Sequence, residues 1–96
     1  ISESPDYATN NHWLNIITSD KIDIEKLIEY LSNKDIETRP IWHLNHLQQS
    51  YKSCQIYNVE NAVKLANKSL CIPSSVNLKE KEILSVISEL DSFCKH

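Results

Sequence analysis

The stretch Arg39-Pro-Ile-Trp-His-Leu-Asn-His46 gathers an arginine, a tryptophan and two histidines into eight residues of a chain that holds one arginine and two tryptophans in all. The guanidinium of Arg39 is a planar fork of donors. It suits a carboxylate or a phosphate through two parallel hydrogen bonds, and Pro40 stiffens the backbone that presents it. An ion pair with a nearby Asp or Glu of the same domain would use the same fork. Trp42 offers a flat apolar wall on which a sugar or a nucleotide base can stack, although an indole also serves as plain packing. His46 follows Trp42 three to four residues on and can donate to a hydroxyl or a phosphate, or stand at the surface without a role. His12 and Trp13 repeat the pairing of imidazole with indole near the start, and two such pairs in one short chain strengthen the reading of a site.

Other chemistries find less support. His43 and His46 form an H-x-x-H pair, but no third or fourth ligand accompanies it, so no metal is expected. Cys54, Cys71 and Cys94 are odd in number and widely spaced, which argues for reduced, buried thiols over a disulfide framework. Ser74-Ser75 lacks the glycines of a nucleophile elbow. Glycine is absent altogether, which excludes glycine-rich phosphate loops from this stretch. With Lys+Arg 10 against Asp+Glu 13 the net charge is −3, and the basic residues are scattered, so nucleic acid is not an expected partner. The apolar runs are far shorter than the ~20 residues that cross a bilayer, and the first residues lack the basic and apolar regions of a signal peptide. A cytoplasmic location is therefore expected. Methionine is also absent, which predicts that the chain was cut from something longer.

A length of 96 residues suits one domain. Residues 1–11 read as a polar connector and 12–96 as the domain itself. The alternation in HWLNIIT predicts a strand over 12–18, with Trp13, Asn15 and Ile17 on one face. Asp23 caps a helix over 24–33 whose apolar residues recur at Ile24, Leu27, Ile28 and Leu31, with Asn33 closing it in a left-handed turn. An extended segment, 36–40, ends at Pro40, and a short helix is expected over 43–52. A further helix runs over 58–67 from Asn58 as cap, followed by a strand over 70–72. Asn77, with Glu80 three residues on, starts a final helix whose buried stripe is Ile83, Val86, Ile87, Leu90 and Phe93 or Cys94. On this reading Leu27→Ala or Ile87→Ala threatens the whole domain. The order of elements predicts an α+β fold, a small mainly antiparallel sheet with amphipathic helices on one face. The other face, with Trp13, is left for water or another domain.

The segments NNHWLN (10–15), IETRPIWHLNHLQQSYK (36–52) and LCIPSS (70–75), followed by an amphipathic helix, resemble in order and spacing the C-terminal domain of the DegT/DnrJ/StrS family. Members are pyridoxal-phosphate-dependent aminotransferases of nucleotide-linked sugars with a fold-type I architecture. The resemblance rests on Arg39, Pro40, Trp42 and His46 and on the proline and serines after the last strand. NHWLN and TRPIWHLNHLQ are similar to the branch that aminates UDP-linked keto sugars toward bacillosamine or legionaminic-type sugars. Two departures stand out: Asp35 where many relatives have glycine, and His43 where lysine is common.

The resemblance implies that the Schiff-base lysine and the pyridoxal phosphate site lie in an N-terminal large domain, and that the enzyme is a homodimer with its active site at the subunit boundary. It implies no catalytic residue in this stretch and no cofactor bound to it alone. It implies that Arg39 serves the carboxylate of an amino donor such as glutamate, and that Trp42, His46, His12 and Trp13 face the nucleotide sugar. Two other classes stay open: a free-standing α+β module that binds a small anion for regulation, and an interaction domain without catalysis.

Overall fold

The structure is a computed structural model and describes residues 3–95. Its elements run β1 (Asn15–Thr18), α1 (Ile24–Ser32), β2 (Arg39–Pro40), two 3-10 turns (Asn45–Leu47 and Gln49–Tyr51), α2 (Glu60–Asn67), β3 (Ser69–Ile72) and α3 (Glu80–Cys94). The fold is α+β, as expected. β3 lies at the centre of a three-stranded antiparallel sheet, with β1 and β2 at its edges.

Residues 3–10 are exposed and form no strand or helix, apart from a turn in which the Ala8 amide donates to the Pro5 carbonyl. β1 starts three residues later than the alternation predicts. The side chains of Asn10 and Asn11 accept the backbone N–H groups of His12 and Trp13 at 2.7 and 3.1 Å, and His12 has φ 53°. Local bonds of this kind compete with a strand, and a positive φ is incompatible with one.

α1 forms because Asp23 accepts the Lys26 amide and the apolar residues fall on one face. Its closure is not at Asn33, which stays right-handed. The Ile36 amide donates to the Leu31 carbonyl and the Asp35 amide to that of Ser32, with Asp35 at φ 59°. This is a Schellman closure with Asp35 in the left-handed position that glycine favours. It also swings Ile36 back into the core beside Leu31.

The helix expected over 43–52 is broken into two 3-10 turns. Gln48 folds back so that its amide donates to the His43 carbonyl at 2.9 Å, which takes the acceptor a continuous helix would need. Asn58 does not cap α2. It sits at φ 49°, and Val59 precedes the helix without any side-chain cap. α3 likewise starts at Glu80, not at a cap made by Asn77: the Glu82 carboxylate accepts the Lys79 amide at 2.7 Å, while the Asn77 amide donates to Ser75 Oγ.

The core joins one face of the sheet to α1 and α3. Ile24, Leu27, Leu31, Ile36 and Leu70 form its buried centre, with Ile17, Val86, Leu90 and Phe93 packed against them. Leu27, Leu31 and Leu70 are almost wholly enclosed. Each contributes roughly 1.5–3 kcal/mol by leaving water. The expected stripe on α3 is thus correct for Val86, Leu90 and Phe93 and wrong for Ile83 and Ile87, which are 45% and 55% exposed. They lie on the flank of the helix, so truncating Ile87 does not open the core. Across the α1–α3 seam Tyr30 packs on Phe93 with ring centroids 5.3 Å apart, and its hydroxyl donates to Glu89 at 2.9 Å.

Candidate functional site

Where the sheet meets the start of α3, a groove of about 770 Å³ opens. Trp13 and Leu14 from the approach to β1 wall one part of it, and Glu37, Thr38 and Arg39 from the approach to β2 another. Pro73, Ser74 and Ser75 after β3, with Glu82 and Ser85 of α3, complete it.

Ser74 holds this end of the sheet together. Its Oγ accepts from the backbone N–H and the side-chain Nδ2 of Asn15, at 3.0 and 3.2 Å, and donates to the Ile72 carbonyl at 3.0 Å. With those bonds made, the hydroxyl ties β1 to the end of β3 and is a fastening rather than a nucleophile. Pro73 ends β3 because it supplies no ladder donor.

Arg39 stands opposite Cys71 in the register, and Pro40 confines its backbone to extended geometry. Its Nη2 and Nε donate to Glu37 Oε1 at 2.9 and 3.1 Å, with both side chains more than three-quarters exposed. The ion-pair alternative raised from the sequence is thus present. A pair so exposed contributes only ~0–1 kcal/mol to stability. Thr38, between them, has its hydroxyl buried without any hydrogen-bond partner, the single such side-chain atom among the described residues. An orphan of this kind costs about 1–3 kcal/mol.

Trp13 and Trp42 meet edge to face, with ring centroids 5.7 Å apart and planes at 75°. They remain 66% and 67% exposed, so the pair is not core packing. Trp42 touches the groove only through Trp13. His12, adjacent in sequence, is exposed. His46 is elsewhere: it sits on the first 3-10 turn and lines a separate hollow of about 510 Å³ with Tyr51, Cys54 and Tyr57. The structure therefore brings Arg39 and Trp13 to one groove with Trp42 at its rim, and separates His46 from them.

Sequence reasoning missed Glu37 and Thr38. Glu37 was within reach, because residues two apart on an extended segment share a face and an acid there will find Arg39. Thr38 carries no such signal, since its burial depends on the tertiary fold.

The described residues contain no cluster of His, Cys, Asp or Glu able to hold a metal ion; their three cysteines are free, Cys71 buried as expected but Cys54 and Cys94 exposed. They also offer no phosphate cradle. Helix N-termini bind phosphate through free N–H groups and a positive dipole end. Here α1, α2 and α3 all carry an acid in the first turn, and Asp23 and Glu82 already accept backbone amides there.

The groove thus carries a lone arginine, an open aromatic rim and a hydroxyl with no partner among the described residues. The chain is 30% identical over 93 residues to EpsN of Bacillus subtilis (strain 168), whose name describes a pyridoxal phosphate-dependent aminotransferase. The match covers 90% of this chain and 24% of EpsN, so the chain spans about a quarter of that relative's length. Residues 1–91 match the DegT/DnrJ/EryC1/StrS aminotransferase family, nearly end to end. The chain belongs to that aminotransferase family.

Proposed function

We propose that this chain is the C-terminal small domain of a pyridoxal-phosphate-dependent aminotransferase that passes an amino group from a donor such as glutamate to a keto sugar carried on a nucleotide. The observation that carries the reading is the family match over residues 1–91 joined to a groove lined by Arg39 and Trp13. The groove does not fit pyridoxal phosphate by itself. It lacks a phosphate cradle, and its lysine, Lys34, stands over the Tyr30 ring at 5.8 Å. The cofactor belongs to an N-terminal large domain, where it supplies the electron sink of the reaction.

What this chain contributes is binding and shielding. Arg39 takes the carboxylate of the amino donor. Trp13 and Trp42 present aromatic faces to the nucleotide sugar, with His12 beside them. His46 lies in the neighbouring hollow, so its contact with the sugar nucleotide depends on how the second domain closes over that side. Closing two walls over the substrate removes water from the reacting groups. The enzyme works as a homodimer in the cytoplasm, and its substrate belongs to the UDP-linked keto sugars of bacillosamine or legionaminic-type pathways. The three free cysteines suit a reducing compartment.

The test is made on the intact protein. A visible absorption band from bound pyridoxal phosphate is expected there and not in the 96-residue chain. Arg39→Ala should raise KM for the amino donor by about 10- to 100-fold, the value of a charge-assisted pair. Unchanged steady-state kinetics would reject the role of Arg39, and a colourless intact protein that takes up no pyridoxal phosphate would reject the enzyme.

A further inference from the structure

Arg39 is the sole arginine of the chain, and its guanidinium is held in one particular way. A guanidinium has five N–H donors in a flat fork. Both recorded bonds, from Nε at 3.1 Å and Nη2 at 2.9 Å, run to the same oxygen, Glu37 Oε1. They engage the side edge of the fork. No other side-chain hydrogen bond of Arg39 occurs among the described residues, so the outer edge, with its parallel N–H groups on Nη1 and Nη2, has no acceptor among them.

We propose that Glu37 is the positioning residue for Arg39: its carboxylate fixes the plane of the guanidinium through the side edge and reserves the outer edge for the carboxylate of the amino donor. The inference rests on the reading of Arg39 as the donor's anchor and adds the device that prepares it. An exposed arginine otherwise samples many rotamers, and ordering it when the ligand arrives weakens binding. Here the two bonds to Glu37 favour one plane of the guanidinium before a ligand arrives. Pro40 restricts the backbone of Arg39, the register with Cys71 fixes where the side chain leaves the sheet, and Glu37 fixes its head group. Glu37 also lies beside Arg39 along the groove wall, so a ligand entering the groove meets the guanidinium already oriented. A carboxylate matches the free edge better than a tetrahedral phosphate does, because two coplanar oxygens meet two parallel N–H groups.

The charge of Glu37 opposes an incoming anion, so the informative comparison is between two variants that both lack it. Glu37→Gln keeps an oxygen acceptor at the end of an equally long side chain, and Glu37→Ala removes it. Binding of glutarate, a dicarboxylate without an amino group, is measured by titration calorimetry on the intact protein. Glu37→Gln is expected to bind at least as tightly as the parent, and Glu37→Ala about 3- to 10-fold more weakly than Glu37→Gln, the cost of ordering one long side chain. Equal affinity of the two variants overturns the positioning role. Arg39→Ala separates the layers. If it binds glutarate like the parent, the anchor reading itself fails. If it loses glutarate while Glu37→Ala and Glu37→Gln stay equal, the anchor stands and the positioning inference falls. Inorganic phosphate titrated in parallel should show a smaller difference between the two Glu37 variants, and a larger one would contradict the preference for a planar ligand.

Discussion

The two ends of this domain are built on different terms. Around Leu27, Leu31 and Leu70 the side chains are enclosed, and the helix is capped at one end by Asp23 and closed at the other by a Schellman turn. Around Trp13 and Trp42 the largest side chains in the molecule lie two-thirds exposed, edge to face with each other. Two indoles in water forgo most of the stabilisation their area could give. The core end is closed by residues of this chain, and the groove end leaves its two indoles largely in water.

The most forceful way to break that contrast is truncation. Leu27→Ala or Leu31→Ala should cost ~2–5 kcal/mol in urea unfolding, a large share of the ~5–15 kcal/mol typical of a folded domain. Ile87→Ala should cost less than about 1 kcal/mol, because its side chain is already more than half in water. Equal losses at Leu27 and Ile87 would mean that the core reaches further round α3 than its packing shows.

Thr38 sharpens the contrast at the groove. Thr38→Val removes a buried hydroxyl that has no partner, and should stabilise the 96-residue chain by about 1 kcal/mol. In the intact protein the same substitution should destabilise instead, if the second domain supplies the missing hydrogen bond. A gain in both settings would show that the hydroxyl stays orphaned in the finished enzyme.

A smaller effect belongs to Asp35. Its left-handed conformation costs an L-residue more than glycine loses in chain entropy, so Asp35→Gly should gain about 0.5 kcal/mol in thermal unfolding. A loss would mean that the Asp35 side chain stabilises the turn through contacts of its own.

The smallest concerns alkaline stability at the α1–α3 seam. The hydrogen bond from Tyr30 to Glu89, helped by burial and by the nearby negative charge, raises the phenol above its usual 10.0. A raised folded value means that this stabilisation is complete below the unfolded pKa and fades as pH rises through the folded one. Tyr30→Phe should therefore flatten the fall in stability above about pH 10. An unchanged alkaline profile would show that the contact is not maintained in solution.

The core was legible because its signals are local and periodic. Leu27 and Leu31 repeat at helical spacing behind an N-cap, and β3 is an apolar run stopped by Pro73. Where side chains redirect the backbone, the periodic reading failed. Gln48 broke the expected helix over 43–52, the Asn10 and Asn11 side chains delayed β1, and left-handed conformations fell at His12, Asp35 and Asn58 instead of Asn33. On α3 the periodicity identified an apolar stripe but could not say which part of it meets α1, and Ile83 and Ile87 fell outside. At the site, residue types drew attention to Arg39, Trp13 and Trp42, and the pairing of the two indoles required the fold. His46 was placed with them by its nearness to Trp42 in the sequence and by the family resemblance, and the fold sets it in a separate hollow.

If the proposed function holds, the aromatic rim is an interior surface of the working enzyme. Oxidative footprinting reads this directly, by comparing the hydroxyl-radical reactivity of Trp13 and Trp42 in the 96-residue chain and in the intact protein. Both indoles should react freely in the chain and become several-fold protected in the intact protein, further so with a nucleotide sugar bound. Equal reactivity in the two settings would contradict the account, because the rim would then face water in the working enzyme as well.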